Sequence, residues 1–325
     1  MNLPVEIYSA EAVRRVDREA VDKAGIPGYE LMQRAAQAAL DAAIAAWPSA
    51  RRWQVVCGGG NNGGDGYVLA RLAAERGMQV AVTALSAADA LRGDAATAHR
   101  DFVASGGSAN PWNGSLDRHA ELLVDGIFGS GLDRAVEGKF ADAIAAINSH
   151  PARVLALDLP SGLGADNGQV LGIAVRADRT VTFVGLKAGL YLGEGPAHAG
   201  RVTFASLDIP ASCRALATPL MRRLDDAAIA TALAPRKPDA HKGDFGHVIV
   251  VGGSPGMAGA VRLCGEAALR SGAGRATILT HPGYCTAVHA GFPALMCHEV
   301  ATPAVLERLL EPATAIAVGP GLGTG

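Results

Sequence analysis

The residues best placed to do chemistry are acids and amides gathered in three glycine-marked stretches. In the first, CGGGNNGGDG over residues 57–66, Asn61, Asn62 and Asp65 stand among glycines. In the second, Asp125 closes LLVD and opens DGIFGSGLDR. In the third, Asp158 closes VLALD and opens DLPSG, which adds Ser161. A carboxyl group can give a proton to a leaving group and take one from an incoming water. Glycines let a backbone approach a phosphate, and a helix N-terminus offers it unpaired N–H groups. Gly58, Gly60 and Gly63 match GxGxxG, but that pattern alone also describes a tight strand-to-helix turn with no ligand. The crowding of polar side chains in the loop favours a site. A hydride-transfer enzyme of the usual kind needs an acid about 20 residues further on, for the adenosine ribose. Val82 to Ser86 supplies none, and Asp89 lies beyond the strand. An aspartate at a strand end is often only a cap or turn residue; three such loops together point to a site.

These residues need a scaffold that brings them to one edge. Ser9 can cap a helix running to Ala24, which Gly25 ends, and a second helix covers Tyr29 to Trp47. Short apolar runs then alternate with helical segments. The strands expected are Trp53–Cys57, Met78–Leu85, Leu122–Asp125, Val154–Asp158, Arg179–Val184 and Arg201–Phe204. The helices expected include Tyr67–Arg76 and Phe140–Asn148, with residues 58–66 as a loop. Such alternation predicts an α/β fold with a mostly parallel sheet covered on both faces. Ligands bind at the carboxyl ends of such strands, so Asn62, Asp125, Asp158 and Ser161 should converge. The rhythm breaks near Ile209. A proline-rich stretch, with a short helix over Asp225–Leu233, leads to a new strand–turn–helix from Gly246. The expected division is a domain over 1–210, a connector over 211–240 and a second domain over 241–325.

Composition narrows the function classes. The 325 residues carry 29 basic and 31 acidic side chains, for a net charge of −2, which gives no footprint for nucleic acid. The five cysteines have no CxxC spacing, so neither a disulfide framework nor a zinc site is expected. MNLPVEIYSA has no signal-peptide pattern, and the apolar helix over Ala35–Trp47 is interrupted by Asp41. A cytoplasmic homo-oligomer with a small-molecule substrate and no membrane partner is expected.

NNGGDGYVLARL, VDGIFGSGL, ALDLPSGL with its following DNG, and TVTFVGLKAGL occur in this order. Together they make residues 1–210 resemble the epimerase part of the bifunctional NAD(P)H-hydrate repair enzymes. That resemblance implies a Rossmann-like three-layer αβα sandwich. It also implies epimerisation of hydrated NADH and NADPH (NADHX and NADPHX), whose nicotinamide ring carries a hydroxyl at C6. Loss of hydroxide, helped by the ring nitrogen, and return of water on the other face exchange the R and S forms. Carried over by motif, Asn61, Asn62, Gly63, Gly64 and Asp65 would contact the nucleotide. Gly129, Ser130, Gly131, Leu132, Asp133, Arg134 and Ala135 would embrace its phosphates. Asp158 would face the ring as the acid–base group, with Lys187 either orienting a group there or touching solvent or phosphate. Asn62, Asp125 and Ser161 would hold a potassium ion, a hard cation suited to oxygen ligands.

From His241 the resemblance changes. HKGDFGHVIVVGGSPGMAGAVRLCGEAALRSGAG and AVGPGLG resemble the opening of the ADP-dependent NAD(P)H-hydrate dehydratases, which have a ribokinase-like fold and use ADP or ATP with magnesium. Neither an NPHxGE stretch nor a GTGD-type loop follows, so the second domain is expected to be a truncated, inactive start. Val248, Val250, Ile278 and Leu279 are then expected to lack covering, leaving the segment loosely ordered, packed on the first domain or paired with another copy. Two other readings stand beside the epimerase. One is a non-catalytic nucleotide-binding or partner-binding module, which would have no need of Asp158. The other is a small-molecule kinase, against which the missing anion-hole loop counts.

Overall fold

Short runs of buried aliphatic residues can be covered on both faces only by helices, and the computed structural model of the chain shows that arrangement. It describes residues 3–233, 235–290, 292–300 and 302–323; the last two residues of the terminal GPGLGTG and the first two of MNLPVEIYSA lie outside them. The chain divides into two units, Met1–Ile229 and Ala230–Gly325.

The strands of the first unit are β1 (Glu6–Tyr8), β2 (Arg52–Cys57), β3 (Gln79–Ala84), β4 (Ala109–Pro111), β5 (Leu122–Gly126), β6 (Arg153–Leu157), β7 (Arg179–Phe183), β8 (Leu186–Lys187), β9 (Arg201–Ala205) and β10 (Met221–Arg222). Seven of them form one sheet in the order β4-β3-β2-β5-β6-β7-β9, parallel throughout. The helices that matter for the site are α1 (Ala10–Asp22), α2 (Gly28–Ala46), α3 (Asn61–Glu75), α4 (Gly93–Ala104) and α5 (Lys139–Ser149). One face of the sheet carries Val55, Val82, Val124, Leu155 and Leu157 and is covered by α1 to α4 through Val16, Leu40, Leu69 and Phe102. The other face carries Val56, Leu123, Val154 and Ala156 and is covered by Ile144 and Ile147 of α5. The expected three-layer sandwich is therefore present. Alanine makes the inner side of α2 small: Ala35, Ala36, Ala39 and Ala43 are all buried, which lets α2 and α3 lie close together.

Strand order reverses between β2 and β5. Cys57 pairs with Gly126 there, so the loops after these two strands open a crevice at the carboxyl edge, where such sheets bind ligands. The second sheet, β10-β1-β8, is small. Its β10 pairs antiparallel with β1 through Glu6↔Arg222 and Ile7↔Met221. Residues 221–222, within the stretch expected to connect the domains, thus complete the first unit.

Sequence and structure differ at the start of α3. The glycine-rich stretch is not all loop: the helix begins at Asn61. Glycine is a poor helix former, but close packing decides here. A Cβ on Gly63 would stand 2.2 Å from the Gly58 carbonyl oxygen, and one on Gly58 would stand 2.0 Å from that of Ile127. The β2–α3 turn and the β5 loop can approach this closely only without side chains.

In the second unit, β11 (His247–Val251), β12 (Arg275–Thr280), β13 (Met296–Glu299) and β14 (Ala315–Val318) form a parallel sheet in the order β13-β12-β11-β14. Its core joins Val250 and Ile278 to Val261 of the helix Ala258–Arg270 and Val288 of the helix Cys285–His289. This corrects the expectation that Val248, Val250, Ile278 and Leu279 lack covering: Val250, Ile278 and Leu279 are buried and Val248 is half-buried. Four strands with two helices on them are enough to cover the central pair. Exposed apolar side chains remain elsewhere, on the edge strand at Ile316 and Val318 and on the helix Ala258–Arg270 at Leu263.

Candidate active site

A cavity of about 810 Å³ opens at the β2/β5 switch point. Its floor comes from strand ends, one wall from α1 and the β2–α3 turn, and another from the loop after β5. Each functional side chain is held by a different element.

Asp158 follows β6 and takes φ +64°, a left-handed conformation that aspartate and asparagine tolerate better than most residues. Its N–H donates to Val181 O at 2.8 Å, which locks the turn. Its carboxylate is fully engaged. Oδ1 accepts from Lys187 Nζ and from Thr182 Oγ1 at 3.4 Å, and Oδ2 accepts from the Ser130 N–H at 3.1 Å. Lys187, on β8, is only 1% exposed. It also donates to Phe183 O at 2.7 Å and to Thr182 Oγ1 at 3.2 Å. A lysine so enclosed is held at the carboxylate rather than in solvent. Val184, between β7 and β8, is a β-branched residue at φ +69°. That is a strained position, and it lies on the cavity wall.

Asp125 and Ser161 meet behind the cavity, not in its lining. Asp125 is completely buried. Its Oδ2 accepts from Ser161 N–H at 2.8 Å, and its Oδ1 from Ser161 Oγ at 2.5 Å and Ile127 N–H at 3.2 Å. Burial pushes its carboxyl up to about 6, against the opposing pull of those hydrogen bonds from Ser161 and Ile127. Ser161 Oγ also accepts from Phe128 N–H at 2.8 Å, tying the β6 turn to the loop after β5. Asn62 is buried in the first turn of α3. Neither its Oδ1 nor its Nδ2 has a partner, although buried polar groups are normally satisfied. A Cβ placed on Gly129 would lie 3.3 Å from Asn62 Oδ1 and 3.2 Å from Asp158 Oδ2. The orphaned amide and the ion-paired carboxylate therefore flank the same point.

Of the expected contact residues, Asn61, Asn62, Asp65, Gly129, Ser130, Gly131, Leu132, Asp133, Arg134, Asp158 and Lys187 line the cavity. Gly63, Gly64 and Ala135 do not: Gly63 packs on Gly58, Gly64 faces Met32 of α2, and Ala135 is exposed outside the pocket. The α3 N-terminus carries no side-chain cap and opens into the cavity beside Gly59 and Gly60, a setting that suits an anion. Arg14, Arg18 and Arg134 add positive charge to the lining, and Arg14 Nη1 fixes the β5 loop by donating to Ser130 O at 3.1 Å.

Several lining residues, Asp17 among them, are marked by no motif in the sequence. Asp17 lies on the inward side of α1, four residues after Val13 and three before Ala20, both buried. An acid within that apolar stripe was the available signal. Burial raises its carboxyl to about 6, with Lys187 lowering and Asp158 raising it. Asp65 is raised well above the usual carboxylate range, by burial first and then by Asp158 and Asp17, with Lys187 opposing.

Residues 28–189 match the family described as YjeF-related protein N-terminus, and residues 248–325 match the NAD(P)H-hydrate dehydratase family. The chain is 45% identical, over 98% of its length, to the bifunctional NAD(P)H-hydrate repair enzyme Nnr of Coxiella burnetii, and 39% identical over 99% to that of Escherichia coli. It spans 65% and 62% of the length of these relatives. A crystal structure of a yeast protein shares the fold with a TM-score of 0.51 at 19% identity, over 62% of this chain and 87% of that one. No described helix is long and apolar enough to cross a membrane. The chain is thus similar over residues 28–189 to the YjeF-related N-terminal family, and over residues 248–325 to the NAD(P)H-hydrate dehydratase family.

Proposed function

We propose that the first unit interconverts the R and S forms of hydrated NADH and NADPH. The observation that carries this reading is the Asp158–Lys187 pair, set in a dinucleotide-sized crevice beside the open N-terminus of α3. The helix N-terminus and the β5 loop receive the phosphates, and the nicotinamide end reaches Asp158. The ring nitrogen expels the C6 hydroxyl as Asp158 exchanges its proton, and water re-adds on the other face. Lys187 orients the carboxylate, and the walls limit bulk water. A hydride-transfer reading has less support, because Ser86 stands near the usual ribose position and β3 ends without an acid.

Asn62, Asp125 and Ser161 are suited to potassium. Their side chains offer a buried, unpartnered amide, a buried carboxylate and a hydroxyl already bonded to that carboxylate. Such an all-oxygen set matches a hard cation. When bound, the ion would supply positive charge beneath the β5 and β6 loops; Asn62, Asp125 and Ser161 would hold it and keep those loops in register.

For the whole protein we further propose ADP-dependent dehydration of the S form, with ADP or ATP and magnesium. Residues 248–325 contain neither NPHxGE nor GTGD, so no step of it is assigned to this chain. The test of the epimerase reading is chromatographic separation of R- and S-NADHX with time. The protein should speed their exchange without nucleoside triphosphate or diphosphate; relaxation at the uncatalysed rate would refute the reading.

A further inference from the structure

Changing the configuration at C6 engages both faces of the ring. Hydroxide leaves from one face of a flat ring and water adds to the other, so protons must be handled on both sides. Asp158 is fixed by Lys187, Thr182 and the Ser130 N–H and projects from a strand end.

The cavity holds a second carboxyl system on other elements. Asp65 projects from the second turn of α3 and Asp17 from α1, and both line the cavity. Neither is hydrogen-bonded or ion-paired to a described side chain, in contrast to Asp158. We propose that Asp65, which lines the same cavity as Asp17, is a second acid–base group of the site, serving the face of the ring that Asp158 does not. This rests on the epimerase reading and deepens it. Asp65 touches the substrate; Asp17 acts through Asp65 and is a positioning residue.

The step balances. Asp65, as the acid, gives its proton to the C6 hydroxyl. The C6–O bond breaks, water departs, and the ring-nitrogen lone pair forms the C6=N1 double bond. Water adds to C6 from the other face, the π pair returns to nitrogen, and Asp158 takes the water's proton. Passage in the opposite direction returns the proton to Asp65.

Two carboxyls in unlike surroundings are a recurrent way to obtain one acid and one base at the same pH. Burial, Asp158 and Asp17 all favour the protonated form of Asp65, and Lys187 opposes it. The other charged groups facing the cavity are Arg14, Arg18 and Asp22 of α1, Asp94 of α4, and Asp133 and Arg134 of the β5 loop; α2 contributes only Gly28, Leu31, Met32 and Ala35.

The experiment compares Asp65→Asn, Asp17→Asn and Asp158→Asn with the parent in epimer exchange across pH, with NADHX binding by calorimetry and thermal melting alongside. Asp65→Asn should lose about 10²–10⁴-fold in turnover, the range for an acid–base group, and still bind NADHX. In Asp17→Asn the alkaline limb of kcat/KM should move to lower pH, because Asp65 loses its proton more readily once a negative neighbour is gone. Should Asp65→Asn not fold, the Asp17→Asn profile decides. A limb that stays in place overturns the proposal. So does an Asp65→Asn enzyme within a few-fold of the parent while Asp158→Asn is inactive; the epimerase reading would then stand without it. A parent protein with no activity removes both.

Discussion

Lys187 Nζ binds Asp158 Oδ1 across 29 residues of sequence, and both groups are almost wholly withdrawn from solvent at the floor of the crevice. The left-handed turn at Asp158 aims its carboxylate inward, and the sharp β7–β8 turn through Val184 brings Lys187 back to meet it. A charged pair so enclosed is expensive to break from one side.

Asp158→Asn is the cleanest probe of the chemistry, because asparagine also accepts φ near +60° and keeps the size of the side chain. Turnover should fall about 10²–10⁴-fold, with NADHX binding retained. Near-normal turnover in a steady-state assay removes Asp158 from the mechanism.

Lys187→Met leaves the Asp158 carboxylate without its counter-charge. Removing one partner of a buried pair typically costs about 3–5 kcal/mol, so the urea midpoint should drop sharply. Adding Asp158→Asn should recover part of that loss, since the two substitutions are coupled. Strictly additive losses in the double variant would show that the pair does not interact as described.

Much of this site was legible in sequence because the strands are buried on both faces. RWQVVC, LLVDG and RVLAL read as apolar runs that end in, or run directly into, a glycine or an acid (Gly58, Gly126 and Asp158), and a parallel sheet puts such ends on one edge. The short β1, β8 and β10 were not legible: each has two or three residues, and their pairing depends on chain far away. The start of α3 is not legible, because glycine propensity opposes a helix there, whereas the close approach of Gly63 to the Gly58 carbonyl is what demands glycine. Asp65 is visible as a contact, but its raised carboxyl comes first from burial and then from Asp158 and Asp17 on other elements. No local pattern holds that information.

Gly63→Ala tests the close approach directly. Its methyl would meet a backbone oxygen that cannot swing aside, so a loss of about 1–3 kcal/mol is expected from overpacking. The loop displacement should also weaken NADHX binding. Unchanged melting and binding would show that the turn has room to spare.

Potassium should stabilise the protein in a pH-dependent way. Asp125 is raised from 3.8 to about 6 in the fold. A raised carboxyl contributes stability that is fully present below its unfolded value and is lost as pH rises through its folded value. Above that window the buried charge is a cost, which a bound cation offsets. The rise in Tm on replacing sodium by potassium should therefore be larger at pH 7.5 than at pH 5, and absent in Asp125→Asn. An equal rise at both pH values excludes Asp125 as a ligand.

The most direct measurement of the central claim starts from purified S-NADHX. The rate at which the R epimer appears is followed in the presence of the protein, of Asp158→Asn and of buffer alone, with no ADP or ATP added. The parent protein should bring the mixture to its equilibrium ratio far sooner than buffer, while Asp158→Asn tracks the buffer curve. Superimposable curves for parent protein and buffer would contradict the account.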